Sequence, residues 1–133
     1  MKRTHLIFVA LLFVGGVVYL ALSRGHEQRS IEVVSPIVNT VVLSPLSFSG
    51  QARGLWFFEG SFPVQLEDEH GVVLGGGTAK AQGEWATDAL VEFSGNIIFD
   101  SKAADRGVLV FQKDNPSGLP ENGERFEVPV RFK

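Results

Sequence analysis

Three histidines are the only imidazoles in the chain, and imidazole is the side chain best suited to acid–base catalysis and metal binding near neutral pH. His5 and His26 lie on either side of a long apolar run, so a membrane across that run would hold them apart. His70 falls in a predicted turn. We therefore expect a solvated turn histidine at position 70, and neither a metal site nor a catalytic triad built on imidazole.

Three consecutive carboxylates, Glu67, Asp68 and Glu69, form the densest acidic run. Successive side chains of a strand point in opposite directions, so at most two of them can converge. Calcium needs about six to eight oxygen ligands, and no EF-hand type of loop supplies them. The run predicts a solvated acidic turn, with a weak cation site as the alternative.

A glycine-rich segment, GGGTAK at residues 75–80, superficially suggests phosphate binding. A P-loop requires Gly-Lys-Ser/Thr at the start of a helix, whereas Lys80 is followed by Ala81 and the glycines interrupt a strand pattern. A bulge or a close approach of two backbones is the prediction. We assign no catalytic residue, cofactor ligand or metal ligand, and we predict that the chain is not an enzyme.

Composition excludes several further classes of function. The net charge is −3, and residues 31–133 carry eight Lys and Arg against fourteen Asp and Glu. A phosphate backbone attracts clustered basic side chains, so nucleic acid is excluded as a partner. The chain contains no cysteine, which excludes disulfides, thiol nucleophiles and iron–sulfur clusters.

The N-terminal region predicts a membrane anchor. Residues 6–22 are an uncharged apolar run of 17 residues that follows Lys2 and Arg3. As a helix the run would span about 26 Å, close to the thickness of a hydrocarbon core. A cleaved signal peptide, with Ala21 and Ser23 as its small residues, is the alternative.

Both alternatives place the rest of the chain outside the cytoplasm. We predict a single-pass protein of the cell membrane, or a secreted protein if the segment is cleaved. The predicted organisation is an anchor or signal segment at 1–23, a linker at 24–30 and one domain at 31–133.

The sequence of the domain predicts an all-β fold. Short alternating apolar segments are separated by Pro, Gly, Asn and Asp, and about seven of them can be counted, which predicts an immunoglobulin-like β-sandwich. The alternation is clearest at 125–133, where Pro129 predicts an edge strand or a bulge. Three further strands are predicted over residues 56–67, 85–93 and 97–99.

The aromatic stretch GLWFFEGSF, residues 54–62, is assigned to the start of one predicted strand. Its parity places Trp56, Phe58 and Phe62 on the core side. Phe57 and Leu55 are left on the polar side, so they are the candidate contact residues for a partner.

Several short motifs, in their order, resemble a known family. They are Ser44-Pro45, Phe58-Glu59-Gly60, Asp68 with Gly71, and Val128-Pro129-Val130. The order resembles the immunoglobulin-like domain of bacterial spore germination proteins, over residues 31–133. The resemblance implies an extracytoplasmic β-sandwich without established enzymatic activity.

Two functions from different classes remain. One is a membrane-tethered module of the bacterial cell envelope that supports or binds an envelope protein through loops or a strand edge. The other is a polysaccharide-binding or cell-wall-binding module that stacks exposed aromatic rings on sugars. Aromatic exposure separates them, because sugar binding predicts Trp56 and Trp85 on one open face and an interaction module predicts both largely buried.

Overall fold

A computed structural model describes residues 29–133, which form seven β-strands and two short 3₁₀ turns. The strands are β1 (Ile31–Ser35), β2 (Leu46–Arg53), β3 (Ser61–Asp68), β4 (Val73–Ala81), β5 (Leu90–Ile97), β6 (Arg106–Gln112) and β7 (Arg125–Arg131). All pairs of neighbouring strands are antiparallel, in the order β1-β2-β5-β4-β3-β6-β7.

The sheet folds into two halves that face each other across the core. Only two residue pairs join β4 to β5, at Lys80–Ser94 and Ala81–Phe93, whereas the strand pairs within each half are longer. Aromatic rings bridge the halves, with Phe48 and Phe111 at 5.6 Å and Phe62 and Phe93 at 5.1 Å between centroids. Edge-on rings at this spacing fill the core densely.

The sheet is nearly closed, because the segment after β1 crosses to the other edge strand. Val41 forms a parallel bridge with Arg131 of β7, and the backbone of Thr40 accepts a hydrogen bond from Arg131. Pro129 lies on β7, the last strand of the sheet, so the edge position predicted from its missing N–H is confirmed.

The all-β prediction and the number of strands are confirmed, but three strand assignments are wrong. The third strand starts at Ser61 rather than at residue 56, and residues 85–89 form a connection. Ile97 ends β5, so no separate strand covers residues 97–99. In each case apolar side chains pack from turns, where they keep no strand parity.

The glycines of β4 allow two backbones to approach closely, as predicted. A Cβ at Gly77 would lie 2.6 Å from the Asn96 carbonyl oxygen, and one at Gly75 would lie 2.6 Å from that of Ile98. The register of β3 and β4 also shifts between Leu66 and Glu67, which is a bulge. These glycines therefore serve packing.

The predicted anchor at 6–22 lies outside the described residues. From residue 29 onward, the structure has no helix that is both long and apolar enough to cross a membrane.

Candidate functional site

Two consecutive turns present the aromatic stretch at one end of the domain. A 3₁₀ turn, Gly54–Trp56, follows β2 and is closed by a hydrogen bond from the Phe57 N–H to the Gly54 carbonyl (3.1 Å). A tight turn follows, in which Glu59 and Gly60 have φ of 52° and 80°, as in a type I′ hairpin turn. The chain thus reverses twice before β3 begins.

These turns overturn the parity that made Phe57 a contact residue. Phe57 is only 6% exposed, and its ring lies 5.1 Å from that of Phe62, so the predicted exposure of Phe57 is wrong. Phe58, predicted to face the core, is 47% exposed. The 3₁₀ turn places successive side chains about 120° apart, so Trp56 and Phe57 both reach the core.

Leu55 is the candidate contact residue that remains at the surface. Its side chain is 67% exposed, although the adjacent residues Gly54 and Trp56 are buried. Its main chain is already held in a closed turn on a buried aromatic base, so the backbone need not be ordered on binding. Its position fits a contact residue, and its binding to a partner stays a prediction.

A second connection, residues 82–89, packs against the turn at Gly54, which has no side chain to prevent the contact. A Cβ at Gly54 would lie 1.8 Å from the Thr87 carbonyl oxygen and 2.3 Å from that of Trp85. A Cβ at Gly60 would lie 3.3 Å from the Trp85 indole nitrogen. The Arg53 guanidinium adds a hydrogen bond to the Asp88 carbonyl (2.7 Å). The two connections therefore pack as one unit.

An open hollow of about 370 Å³ lies between these two connections. We call it the Leu55 hollow, and it is lined by Gly54, Leu55, Phe57, Trp85, Ala86, Thr87 and Asp88. Phe57 is buried beneath it, and the Trp85 ring is half-buried against the hydrophobic core. The hollow is thus lined by an exposed leucine, a tryptophan and an aspartate.

The two tryptophans do not form an open aromatic face. Trp56 is 1% exposed and packs edge-on against Phe62 at 5.4 Å between centroids. Its indole nitrogen has no hydrogen-bond partner within residues 29–133. Trp85 is half-buried. This distribution matches the pattern expected of an interaction module.

His70 and the carboxylates of residues 67–69 do not form a common site. Asp68 accepts hydrogen bonds from the backbone N–H groups of His70 (2.8 Å) and Val72 (2.9 Å), which fixes an exposed turn. Glu67 instead binds Arg125 of β7 at 2.9 Å. Across the region from 29 to 133, no three His, Asp or Glu side chains are grouped so as to hold a metal ion.

The outer surface of β3, β6 and β7 carries a polar network. Arg125 bridges Glu67 (2.9 Å) and Glu127 (2.7 Å), and Gln65 donates to Glu67 (2.9 Å). The hydrogen bond to Glu127 raises the pKa of the Arg125 guanidinium. Gln65 and Glu127 are the strand partners of Val110, which is fully buried on this side, so the network covers an apolar residue.

A second apolar surface lies where the sheet fails to close. A groove of about 300 Å³ separates β1 from β7, and Val34, Ile37, Val38 and Phe126 on its walls are 38–71% exposed. No motif in the sequence marks these residues as a surface. For Val34, Ile37 and Val38 the signal is the absence of any charged residue from 33 to 52.

The residues that line the hollow beside Leu55 are not apparent from the sequence. Trp85 and Asp88 lie about thirty residues further along the chain, and only the antiparallel pairing of β2 with β5 brings their connection beside Gly54. No local pattern signals such a contact.

The nearly closed sheet of seven antiparallel strands and the packing at this end define a small all-β domain. The sequence matches the family described as the immunoglobulin-like domain of bacterial spore germination over residues 30–119, and the chain belongs to that family. The family is not a known enzyme family. Strand β7 lies beyond the matched range but pairs along its whole length with β6. Neither a curated protein nor a solved structure matches the chain.

Proposed function

We propose that the protein is a non-enzymatic, membrane-tethered interaction module outside the cytoplasm of a bacterial cell, and that it binds an envelope protein at the Leu55 hollow. The anchor is the apolar run 6–22, and the immunoglobulin-like domain is the part that makes contact. Family membership supports the class of domain.

The observation that carries the site is the exposure of Leu55 on a rigid base. Leu55 is 67% exposed, while Trp56 and Phe57 beneath it are 1% and 6% exposed. A protruding apolar side chain beside a concave surface, on a buried base, can enter a pocket of a partner without reorganisation of its own main chain. The polysaccharide alternative is weaker, because Trp56 is unavailable for stacking.

Photocrosslinking in cells tests this proposal. A benzophenone amino acid replaces Ala86, which is exposed and lines the hollow while leaving Leu55 intact. The same amino acid at Asn96, exposed on β5, is the positional control. We expect a specific protein adduct from position 86 and none from position 96.

A pair of leucine variants ties the adduct to the hollow. Leu55→Ser should reduce the adduct from position 86 at least about fivefold, because the loss of a central apolar anchor costs more than about 1 kcal/mol. Leu43→Ser, at a residue 75% exposed in the connection between β1 and β2, should leave it unchanged. No adduct from position 86, or equal loss in both variants, would contradict the proposal.

A further inference from the structure

The two ends of the domain differ in charge. The chain enters the domain beside the Leu55 turn, where the Ser30 carbonyl accepts a hydrogen bond from the Arg53 N–H. We call this end of the domain the entry end. Its three connections are residues 54–60, 82–89 and 113–124. They contain six carboxylates, Glu59, Glu84, Asp88, Asp114, Glu121 and Glu124, and one cation, Lys113.

The opposite end is nearly neutral. Its connections are residues 36–45, 69–72 and 98–105, with three carboxylates and Lys102, and the final residue is Lys133. Among the connections, the excess of carboxylates therefore lies at the end that carries the Leu55 hollow, where Arg29, Arg53 and Arg125 of the adjoining segments also lie. A surface of one sign attracts a partner of the other sign and raises its association rate.

Three carboxylates at or next in sequence to the residues around the hollow are unpaired within residues 29–133. Asp88 lines the hollow, Glu84 precedes Trp85, and Glu59 precedes Gly60, where an added Cβ would lie 3.3 Å from the Trp85 indole nitrogen. No ion pair or side-chain hydrogen bond engages any of the three in this part of the chain. Arg53 reaches the backbone oxygen of Asp88.

We propose that the partner segment bound at the Leu55 hollow is basic, a conclusion that rests on the proposed function. A lysine or arginine side chain enters the hollow between the Trp85 ring and the Asp88 carboxylate, and an adjacent apolar residue contacts Leu55. An indole face and a carboxylate together favour a cation over a neutral group.

A protein segment fits this end better than a lipid surface does. If residues 6–22 anchor the chain, the six residues 23–28 reach at most about 20 Å, so the entry end stays close to the bilayer. Six carboxylates there disfavour contact with anionic headgroups, whereas a basic segment of a neighbouring membrane protein would complement them.

The test uses the full-length protein in its own membranes, with the benzophenone amino acid at position 86. The variant Glu84→Gln/Asp88→Asn removes the carboxylate of Asp88, which lines the hollow, and that of Glu84, which precedes Trp85 in the sequence. The control Glu69→Gln/Glu92→Gln changes the net charge equally at exposed positions away from it. The measured quantities are the adduct yield at about 0.05 and 0.5 M NaCl and the crosslinked partner peptide.

We expect the hollow variant to lower the adduct yield about three- to tenfold at low salt and the control variant to leave it unchanged. High salt should remove most of this difference, and the crosslinked peptide should contain lysine or arginine. An adduct that persists in the hollow variant, that maps to an acidic or neutral segment, or that is lipid would overturn the basic partner. The complete absence of an adduct would overturn the proposed function together with this inference.

Discussion

At the scale of single residues, the aromatic stretch shows how a turn separates neighbouring side chains. Two exposed residues, Leu55 and Phe58, enclose two buried ones, Trp56 and Phe57. No strand parity gives this order, because the 3₁₀ turn and the following hairpin turn rotate successive residues by other angles. Burial at this site therefore depends on turns and not on strand alternation.

The first prediction compares the two residues that sequence parity had placed together. Phe57→Ala should lower the free energy of unfolding by about 3–5 kcal/mol, because a ring packed 5.1 Å from Phe62 leaves a cavity. Leu55→Ala should change it by less than about 0.5 kcal/mol. Urea unfolding followed by circular dichroism measures both. Similar losses for the two variants would contradict the burial pattern.

The second prediction concerns the buried indole of Trp56. Its nitrogen has no hydrogen-bond partner among residues 29–133, so Trp56→Phe removes an unsatisfied donor as well as some packing. The two effects oppose each other, and we expect a net change within about 1 kcal/mol in the same unfolding measurement. Phe62→Ala, at the ring packed against it, should cost about 3–5 kcal/mol. A loss above about 3 kcal/mol for Trp56→Phe would indicate a bonded indole.

At the scale of elements, the sequence predicts strands well where one face is buried throughout. Alternation identified β7, and Pro129 identified its edge position. Alternation failed to give the strand boundaries at residues 56 and 85, where aromatic side chains enter the core from connections. Apolar content alone cannot distinguish these cases, since the contact between Gly54 and Thr87 joins segments distant in sequence.

The third prediction tests the glycines of β4 with neighbouring alanines. Gly77→Ala should destabilise the domain by about 1–3 kcal/mol, because its Cβ would lie 2.6 Å from a backbone oxygen. At Gly76 the nearest heavy atom would be 3.9 Å away, so Gly76→Ala should be neutral or stabilising by up to about 1 kcal/mol. Thermal unfolding of the two variants measures the difference. Equal effects would mean that the two backbones are further apart.

At the scale of the whole molecule, the antiparallel order of strands gives the domain two chemically different ends. Every second connection lies at the same end, so 54–60, 82–89 and 113–124 meet although they are far apart in sequence. Their shared acidity is visible in the sequence only after the strand order is known. The site could therefore be predicted as an exposed leucine, but not as a hollow with an acidic rim.

The last prediction concerns the attachment of this molecule to a membrane. We expect the full-length protein to remain in the membrane fraction after washing with sodium carbonate, because residues 6–22 carry no charge. Val14→Asp/Val17→Asp should release it, since each charge near the centre of a spanning helix costs about 2.5–3.5 kcal/mol. Val34→Asp, at an exposed position of β1, is the matched control and should stay bound. Release of the unmodified protein with a mature N-terminus at Arg24 would instead demonstrate a cleaved signal peptide.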